Sequence, residues 1–169
     1  MALCLLPGCS KDSGGSQSAL SSFSADTLDG GKFTDSDIKA KDVTIINFWD
    51  TFCGPCIGEM PELAEYAKSL PDNAQLITVC LGGDRVADEA WDILSGSGYE
   101  GVTLIGGDEA FTSLCASVQS IPTTIFVDSE GNIVGNAIVG RQKDLAKSFT
   151  AAANNVLKES GKAELSFET

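Results

Sequence analysis

The sequence predicts an α/β fold in which helices cover both faces of a mixed β-sheet. Three observations lead to this three-layer architecture. Apolar, β-branched runs alternate with segments of helical spacing, which is the element order of layered α/β folds. The run at 43–49 is almost continuously apolar, as in a central strand that is covered on both sides. Hairpin patterns near both ends add antiparallel strands, and 169 residues are enough for one buried core.

The first half of the chain is predicted to begin with a β-hairpin extension. Residues 23–27 and 33–34 are its strands, and Asp29-Gly30-Gly31 between them supplies the positive φ angles of a tight turn. The central strand follows. A helix is then predicted over 56–70 from the spacing of its apolar residues, and a strand over 75–81 ends at a pair of glycines.

The second half of the chain continues this alternation. Its predicted strands cover 102–105, 121–128 and 133–139, and its predicted helices cover 87–94, the segment behind the capping residue Asp108, and 142–158. The turn Ser129-Glu130-Gly131-Asn132 joins the last two strands into a second antiparallel hairpin. The final helix presents an apolar face, so we expect it to pack on the sheet.

Cys53-Gly54-Pro55-Cys56 stands where the predicted central strand is followed by a helix. A sulfur at a helix N-terminus lies beside unpaired backbone N–H groups and the positive end of the helix dipole, and both favour its thiolate. The thiolate attacks disulfides, and a second thiol nearby can resolve the mixed disulfide that results. Pro55 suits the first turn because its missing N–H would be unbonded there. The motif therefore predicts a redox-active cysteine pair.

Half of a zinc site is the alternative interpretation of this pair. It would need two further ligands, but the chain has no histidine, and Cys80 and Cys115 stand singly in apolar segments. We therefore expect no metal here. The lack of histidine also excludes Ser-His-Asp and Cys-His catalysis. The net charge of −13 argues against nucleic acid or an anionic membrane surface as a partner.

The first 22 residues contain an apolar segment and then a polar one. Leu5-Leu6-Pro7-Gly8-Cys9 is similar to a bacterial lipobox, in which Cys9 is lipidated, although the apolar region before it is short and lacks Lys or Arg. The alternative is a frayed apolar terminus. We expect residues 1–9 to be a shortened lipoprotein signal and 10–22 a flexible linker rich in Ser and Gly. The folded domain is then expected over 23–160, with a tail at 161–169.

Six short motifs carry a resemblance to a known family. By their order and separations, the chain resembles thioredoxin-fold proteins and, among these, the TlpA-type extracytoplasmic thiol–disulfide oxidoreductases, which include the cytochrome c maturation thioredoxins. The motifs are Ile46-Asn47-Phe48-Trp49, Cys53-Gly54-Pro55-Cys56, Glu59-Met60-Pro61, Ile121-Pro122-Thr123-Thr124, Asp128-x-x-Gly131 and Val139-Gly140. The resemblance implies a thioredoxin-like three-layer α/β/α sandwich and thiol–disulfide exchange.

The resemblance also implies roles for individual residues. Cys53 is expected to be the exposed attacking thiol and Cys56 the buried resolving thiol. Pro122 is expected to follow a cis peptide bond, which places Ile121 beside the cysteines so that its backbone can pair with an extended segment of a partner. The expected docking groove consists of Phe52, Gly54, Pro55, Ile121, Pro122, Val139 and Gly140.

Glu59 is the third expected catalytic residue. It follows Cys56 by three positions, so on a helix it lies on the same side as the buried thiol. TlpA-type proteins often place a glutamate here, and burial would raise its carboxyl pKa towards the range suited to exchanging a proton with the thiol. Thioredoxins instead carry an aspartate at the position of Asn47, which cannot titrate. The alternative is an ordinary first-turn glutamate favoured by the helix dipole.

Four residues near the motifs add further expectations. Phe52 stands where tryptophan is usual in the family, so the apolar surface is kept without the indole N–H. Asp50 adds a negative charge near Cys53 that would offset part of the thiolate's stabilisation. Cys80 and Cys115 are expected to be packed thiols, with a second disulfide as the alternative.

The predicted function is that of an extracytoplasmic, membrane-tethered oxidoreductase that reduces protein disulfides. The resemblance implies protein disulfides or thiols as substrates, a membrane thiol transporter as electron donor, a monomeric state and no cofactor. A peroxiredoxin would instead need a single peroxidatic cysteine in a Pro/Thr-rich loop, and no segment matches this. A copper-delivery protein of the same fold would add a histidine ligand, which the chain lacks. The presence of both cysteines argues against a non-catalytic docking module.

Overall fold

The computed structural model describes residues 20–166. The expected signal segment with Cys9 and most of the expected linker lie outside these residues, as does the end of the expected tail. Leu20 is fully buried in the hydrophobic core, so the packed part of the chain begins no later than residue 20. The expected linker therefore overlaps the packed part by three residues, because an apolar side chain within this Ser-rich segment is accommodated in the core.

The strands of the described chain form one seven-stranded mixed sheet. They are β1 (Ser24–Thr27), β2 (Lys32–Thr34), β3 (Val43–Trp49), β4 (Ala74–Cys80), β5 (Thr103–Gly107), β6 (Thr123–Asp128) and β7 (Ile138–Val139). Their order in the sheet is β2-β1-β5-β4-β3-β6-β7. The central strands β3, β4 and β5 are parallel, and the other pairings are antiparallel. The predicted mixed sheet and N-terminal hairpin are therefore confirmed.

The helices of the described chain are α1 (Asp35–Lys39), α2 (Gly54–Ser69), α3 (Ala87–Ser97), α4 (Glu109–Ser117) and α5 (Leu145–Glu159), and a 3-10 turn at Gly83–Val86 precedes α3. The sequence patterns do not predict α1. It has only five residues, too few to show a helical period, and it begins with reciprocal hydrogen bonds between Thr34 and Asp37. None of the helices in residues 20–166 is long and apolar enough to cross a membrane.

Two apolar clusters lie on opposite faces of the sheet. Side chains along a strand alternate between faces, so Val43, Ile45 and Trp49 of β3 face one cluster, whereas Ile46 and Phe48 face the other. Helices α2, α3 and α5 pack on the first face, and α1 and α4 pack on the second. All seven residues of β3 are buried, as the prediction of a central strand requires.

The predicted return strand at 133–139 is wrong over most of its length. β7 has two residues, and Ile133 makes only an isolated bridge to Val127. Between these two contacts, Gly135 adopts a φ of +72°, a left-handed conformation that interrupts a strand. The N–H of Val134 still donates to the carbonyl oxygen of Phe126 at 2.9 Å, so the chain leaves the sheet after Val134 and rejoins it at Ile138.

The register of the sheet brings three separate segments together. β3 and β6 are antiparallel neighbours with Phe48 opposite Thr123, so the residues that follow Trp49 lie beside those that precede Thr123. β7 pairs with β6 on its other side and places Val139 opposite Thr123. The cysteine loop, the segment before β6 and the loop after β7 therefore meet at the carboxyl end of β3.

Candidate active site

Cys53 and Cys56 form a disulfide at the N-terminus of α2. Cys53 is the capping residue, and its Sγ accepts a hydrogen bond from the backbone N–H of Cys56 at 3.2 Å. Gly54 and Pro55 occupy the first turn, where a proline needs no N–H partner. The sulfur of Cys53 therefore lies in the field of the free helix N–H groups, which would stabilise its thiolate after reduction.

The two cysteines differ in burial, although less than expected. Cys53 is 7% exposed and Cys56 is 1% exposed. The expectation of an exposed Cys53 is correct only in rank, because each sulfur of the disulfide covers part of the other. The surface around Cys53 is nevertheless open: Phe52 is 81% exposed, and a Cβ on Gly54 would meet no atom within 4 Å.

The Ile121–Pro122 segment and the loop after β7 form the other side of the site. The Ile121–Pro122 peptide bond is cis, the conformation that the resemblance implied. Gly140 has a φ of +83°, and its backbone N–H donates to the carbonyl oxygen of Pro122 at 2.8 Å. Val139 is largely exposed beside them. The residues of the expected groove therefore come from three parts of the chain that the sheet brings to one edge.

Glu59 lies on the buried side of α2, one turn after Cys56. It is 2% exposed, and its Oε1 accepts a hydrogen bond from Asn47 Nδ2 at 3.3 Å. The same Nδ2 donates to Thr124 Oγ1 at 2.9 Å, so the Asn47 amide is held between β3, β6 and α2. Oε2 of Glu59 is a buried oxygen without a hydrogen-bond partner among the described residues. One oxygen of the carboxyl group is therefore held by Asn47, and the other accepts no hydrogen bond from the described residues.

The environment of Glu59 raises its carboxyl pKa from 4.5 to about 7. Burial is the main cause, because removing the group from water penalises its charged form. The Asn47 amide, the backbone N–H of Gln142 and the charge of Arg141 lower the pKa, and the charge of Glu62 raises it by a smaller amount. Glu59 can therefore exchange a proton near neutral pH, which an exposed glutamate does poorly.

Asp50 is buried and faces the loop after β4. Its Oδ1 accepts a hydrogen bond from the Thr51 N–H at 2.8 Å and lies 2.8 Å from where a Cβ on Gly82 would stand. Its carbonyl oxygen accepts from the Cys53 N–H at 3.1 Å. Asp50 therefore helps to hold the cysteine loop through its backbone, while its carboxyl group packs against the neighbouring loop.

Cys80 and Cys115 are free thiols on opposite faces of the sheet. Cys80 belongs to the cluster under α2, whereas Cys115 packs against the cluster under α4. Burial raises the pKa of each thiol to about 11. The structure therefore agrees with the interpretation of packed thiols. Within residues 20–166, no group of three or more His, Cys, Asp or Glu side chains is placed to hold a metal ion.

Two residues of the site were given no role by the sequence patterns. Thr124 stands directly opposite Asn47 in the antiparallel register and completes its hydrogen bonding. Arg141 extends from the loop after β7 onto α2, where its guanidinium bonds Glu62 at 3.1 Å. The signal for Thr124 was its place in the Ile121-Pro122-Thr123-Thr124 motif. Arg141 has no such signal beyond its position next to Gly140.

A helix-capping Cys-x-x-Cys disulfide at the end of a central strand, next to a cis-proline, defines the class of thioredoxin-fold redox proteins. The two helical layers and the mixed sheet agree with that class. The sequence profile of the redoxin family matches residues 16–156, and the chain belongs to this family. The thioredoxin-like fold expected from the resemblance is therefore confirmed.

Two curated proteins of Bacillus subtilis are similar in sequence to this chain. The chain is 31% identical over 111 residues to the thioredoxin-like protein YneN, a match that covers 66% of this chain and 64% of YneN. It is 26% identical over 113 residues to the thiol-disulfide oxidoreductase ResA, covering 66% of this chain and 61% of ResA. The matched part is thus a little under two thirds of the length of these two relatives.

A solved structure shows the same fold. The exposed lipoprotein thioredoxin Etrx1 of Streptococcus pneumoniae superposes with a TM-score of 0.61 at 26% identity. The superposition covers 76% of this chain and 96% of Etrx1. The similarity therefore extends over nearly the whole of the Etrx1 structure.

Proposed function

We propose that this protein is a thiol–disulfide oxidoreductase that reduces disulfides of other proteins through the Cys53–Cys56 dithiol. The observation that carries the proposal is the arrangement at the start of α2: a disulfide that caps the helix, with a buried carboxyl group one turn behind it. The name of the relative ResA, a thiol-disulfide oxidoreductase, supports it. Cys53 is the attacking thiol in this proposal, and Cys56 is the resolving thiol.

In the first step, the Cys53 thiolate attacks one sulfur of a substrate disulfide. The substrate S–S bond breaks, an S–S bond forms between Cys53 and the substrate, and the other substrate sulfur leaves as a thiolate that takes a proton from water. The N-terminus of α2 stabilises the attacking thiolate. The exposed side chains of Phe52 and Val139 receive the substrate chain, and the backbone of Ile121 pairs with it.

In the second step, Cys56 displaces the substrate. Its thiol gives a proton to the free Oε2 of the Glu59 carboxylate, and the resulting thiolate attacks Sγ of Cys53. The bond between Cys53 and the substrate breaks, the Cys53–Cys56 bond forms, and the second substrate sulfur leaves as a thiolate that is protonated from water. Two electrons have then passed from the dithiol to the substrate.

The proposed location is outside the cytoplasm, with lipid on Cys9 as the membrane anchor and the polar segment that follows as the tether. The lipobox-like sequence supports this, and so does the name of Etrx1, an exposed lipoprotein. A membrane thiol transporter is the proposed electron donor. Its dithiol would regenerate Cys53 and Cys56 by the same exchange, with the protein acting as a monomer.

Trapping of the mixed disulfide tests the roles of the two cysteines. Reduced Cys56→Ser should accumulate a covalent complex with a disulfide-containing protein such as insulin, because the resolving thiol is missing. Cys53→Ser should form no complex, and Cys115→Ser, which alters a thiol on the opposite face, should behave like the parent. Mass spectrometry identifies the linked residue. Trapping by Cys53→Ser would reverse the roles, and a parent protein that reduces no disulfide would reject the proposed function.

The reduction potential of the pair tests the direction of electron flow. We expect a value nearer to that of thioredoxin, about −270 mV, than to that of a strong oxidant such as DsbA, about −120 mV, since Cys-Gly-Pro-Cys resembles the thioredoxin motif. Equilibration with a glutathione redox buffer gives the value. A potential close to the oxidant's would contradict the reductase assignment.

A further inference from the structure

The side chain of Arg141 lies against the surface of α2, at a point where the helix has a glycine. Its Nη1 lies 2.8 Å from where a Cβ on Gly58 would stand, closer than a real side chain would tolerate. Its Nη2 bonds Oε1 of Glu62 at 3.1 Å. Gly58 and Glu62 are one helical turn apart, so the guanidinium lies along the helix surface between them. Glu59 directly follows Gly58 in the chain.

Arg141 reaches this position from the substrate side of the site. The N–H of Gly140 donates to the carbonyl oxygen of Pro122, and Nε2 of Gln142 donates to the carbonyl oxygen of Gly140, both at 2.8 Å. The backbone next to Arg141 is therefore fixed to the cis-proline segment. Its side chain then connects that segment to the helix that carries the cysteines.

The same loop acts on Glu59. The backbone N–H of Gln142 and the charge of Arg141 favour the ionised carboxyl group, whereas the charge of Glu62 opposes it. The hydrogen-bond donor to Glu59 from β3 is the uncharged amide of Asn47. Arg141 and Glu62 are thus the charged residues that act on Glu59, and they have opposite signs. The other titratable neighbour on α2 is Cys56, which does not titrate while it is disulfide-bonded.

We propose that Arg141 is a positioning residue: held over Gly58 and bonded to Glu62, it supplies the counter-charge for the Glu59 carboxylate that takes the proton of Cys56. This inference rests on the proposed function, because it needs Glu59 to receive that proton. A nearby cation lowers the free energy of a carboxylate. Since the side chains of Arg141 and Glu62 are each nearly half exposed, water weakens the effect, and its expected size is moderate.

The direct test is a pH titration of the Glu59 carboxyl carbon by NMR in the oxidised protein. Arg141→Gln should raise the Glu59 midpoint by roughly half a pH unit or more, because the counter-charge is lost. Gly58→Ala should raise it as well, since the new methyl group displaces the guanidinium and removes no charge. Arg141→Lys should restore part of the shift. The pH profile for release of the mixed disulfide should move upward by the same amount.

Arg85→Gln is the matched control, because it removes the same charge from an exposed arginine in the 3-10 turn and should leave the midpoint unchanged. If Arg141→Gln folds poorly, the Glu59 midpoint of Gly58→Ala is the deciding measurement. This variant is expected to fold, because alanine favours a helix more than glycine does. Equal midpoints in the parent, Arg141→Gln and Gly58→Ala would overturn the inference. The titration needs no substrate, so its outcome is independent of whether the parent reduces disulfides, which decides the proposed function.

Discussion

The chemistry of Glu59 is set by its surroundings more than by its residue type. The carboxyl group is 2% exposed, and the Asn47 amide and the backbone N–H of Gln142 offset only part of the cost of burying its charge. Its pKa of about 7 follows from that burial. Asn47, which stands where thioredoxins carry a titrating aspartate, donates to Glu59, and Glu59 is the carboxyl group nearest in sequence to Cys56 on this helix.

The raised pKa predicts how stability depends on pH. Between the unfolded value of 4.5 and the folded value of about 7, the folded protein binds more protons than the unfolded chain. The free energy of unfolding should therefore fall as pH rises through this interval, by up to about 3 kcal/mol, and then stay level. Glu59→Gln should abolish the fall, and Glu65→Gln, which changes an exposed glutamate of the same helix, should retain it. Urea unfolding of the oxidised proteins from pH 4 to 8 measures this, and parallel curves for the parent and Glu59→Gln would contradict it.

Glu59→Gln should also slow one step of exchange. The attack by Cys53 should be unchanged, whereas release of the mixed disulfide should slow roughly 10- to 100-fold, because Cys56 loses its proton acceptor. Rapid-quench measurement of the two steps from about pH 5 to 9 separates them. If the two steps and their pH dependence match the parent, Glu59 is only a buried carboxyl group of the helix.

At the scale of elements, the site depends on loops that three strands bring to one edge. Phe52 follows β3, Pro122 precedes β6, and Val139 ends β7. Phe52 is 81% exposed and Val139 is 60% exposed, while the bond between Gly140 and Pro122 holds the loops together. Exposed apolar side chains of this kind are typical of surfaces that contact another protein, and the proposed function assigns them to the substrate.

Removing this apolar surface should affect large and small substrates differently. Phe52→Ala or Val139→Ala should reduce kcat/KM for a protein disulfide by roughly tenfold, because each deletes apolar contact area. A small disulfide such as oxidised glutathione needs little of this surface and should react at the parent rate. Trp91→Ala, which removes another exposed aromatic side chain, on α3, is the control. An equal loss of kcat/KM for both substrates would mean that the substitutions disturb the cysteines and not the contact with the protein substrate.

At the scale of the whole molecule, the first described residue and the cysteines pack on opposite faces of the sheet. Leu20, at the start of the described residues, packs in the cluster under α1 and α4, whereas Cys53 and Cys56 belong to the cluster under α2. The side chain of Leu20 therefore enters the core on the face of the sheet opposite to the cysteines.

The proposed membrane tether can be tested in cells. Full-length protein from its native host should partition with membranes through lipid on Cys9, and Cys9→Ala should be released or remain unprocessed. Cys4→Ala, which changes the other cysteine of the N-terminal segment, is the matched control and should stay with membranes. Mass spectrometry of the mature N-terminus detects the lipid on Cys9 directly. An unlipidated Cys9 in membrane-free protein would remove this part of the proposal.

The fold class, the order of the main elements and the redox motif could all be predicted from the amino-acid sequence. These features depend on local signals: apolar period, turn residues, and two cysteines three positions apart. Glu59 was within reach of the same reasoning, because helical spacing alone places it one turn from Cys56. The five-residue helix α1 could not be predicted in this way, because so short an element shows no helical period. The break at Gly135 could not be predicted either, because strand pairing depends on the neighbouring strand.

The way in which these parts meet in space could not be predicted from the sequence and is visible in the folded chain. The antiparallel register of β3 and β6 places Thr124 against Asn47 and brings the cis-proline segment to the cysteines. Arg141 lies over Gly58 because the loop after β7 is tied to Pro122, a contact between positions far apart in the chain. Burial and charge at Glu59 arise from this convergence. A sequence pattern carries spacing along the chain, whereas a pKa depends on distances through space.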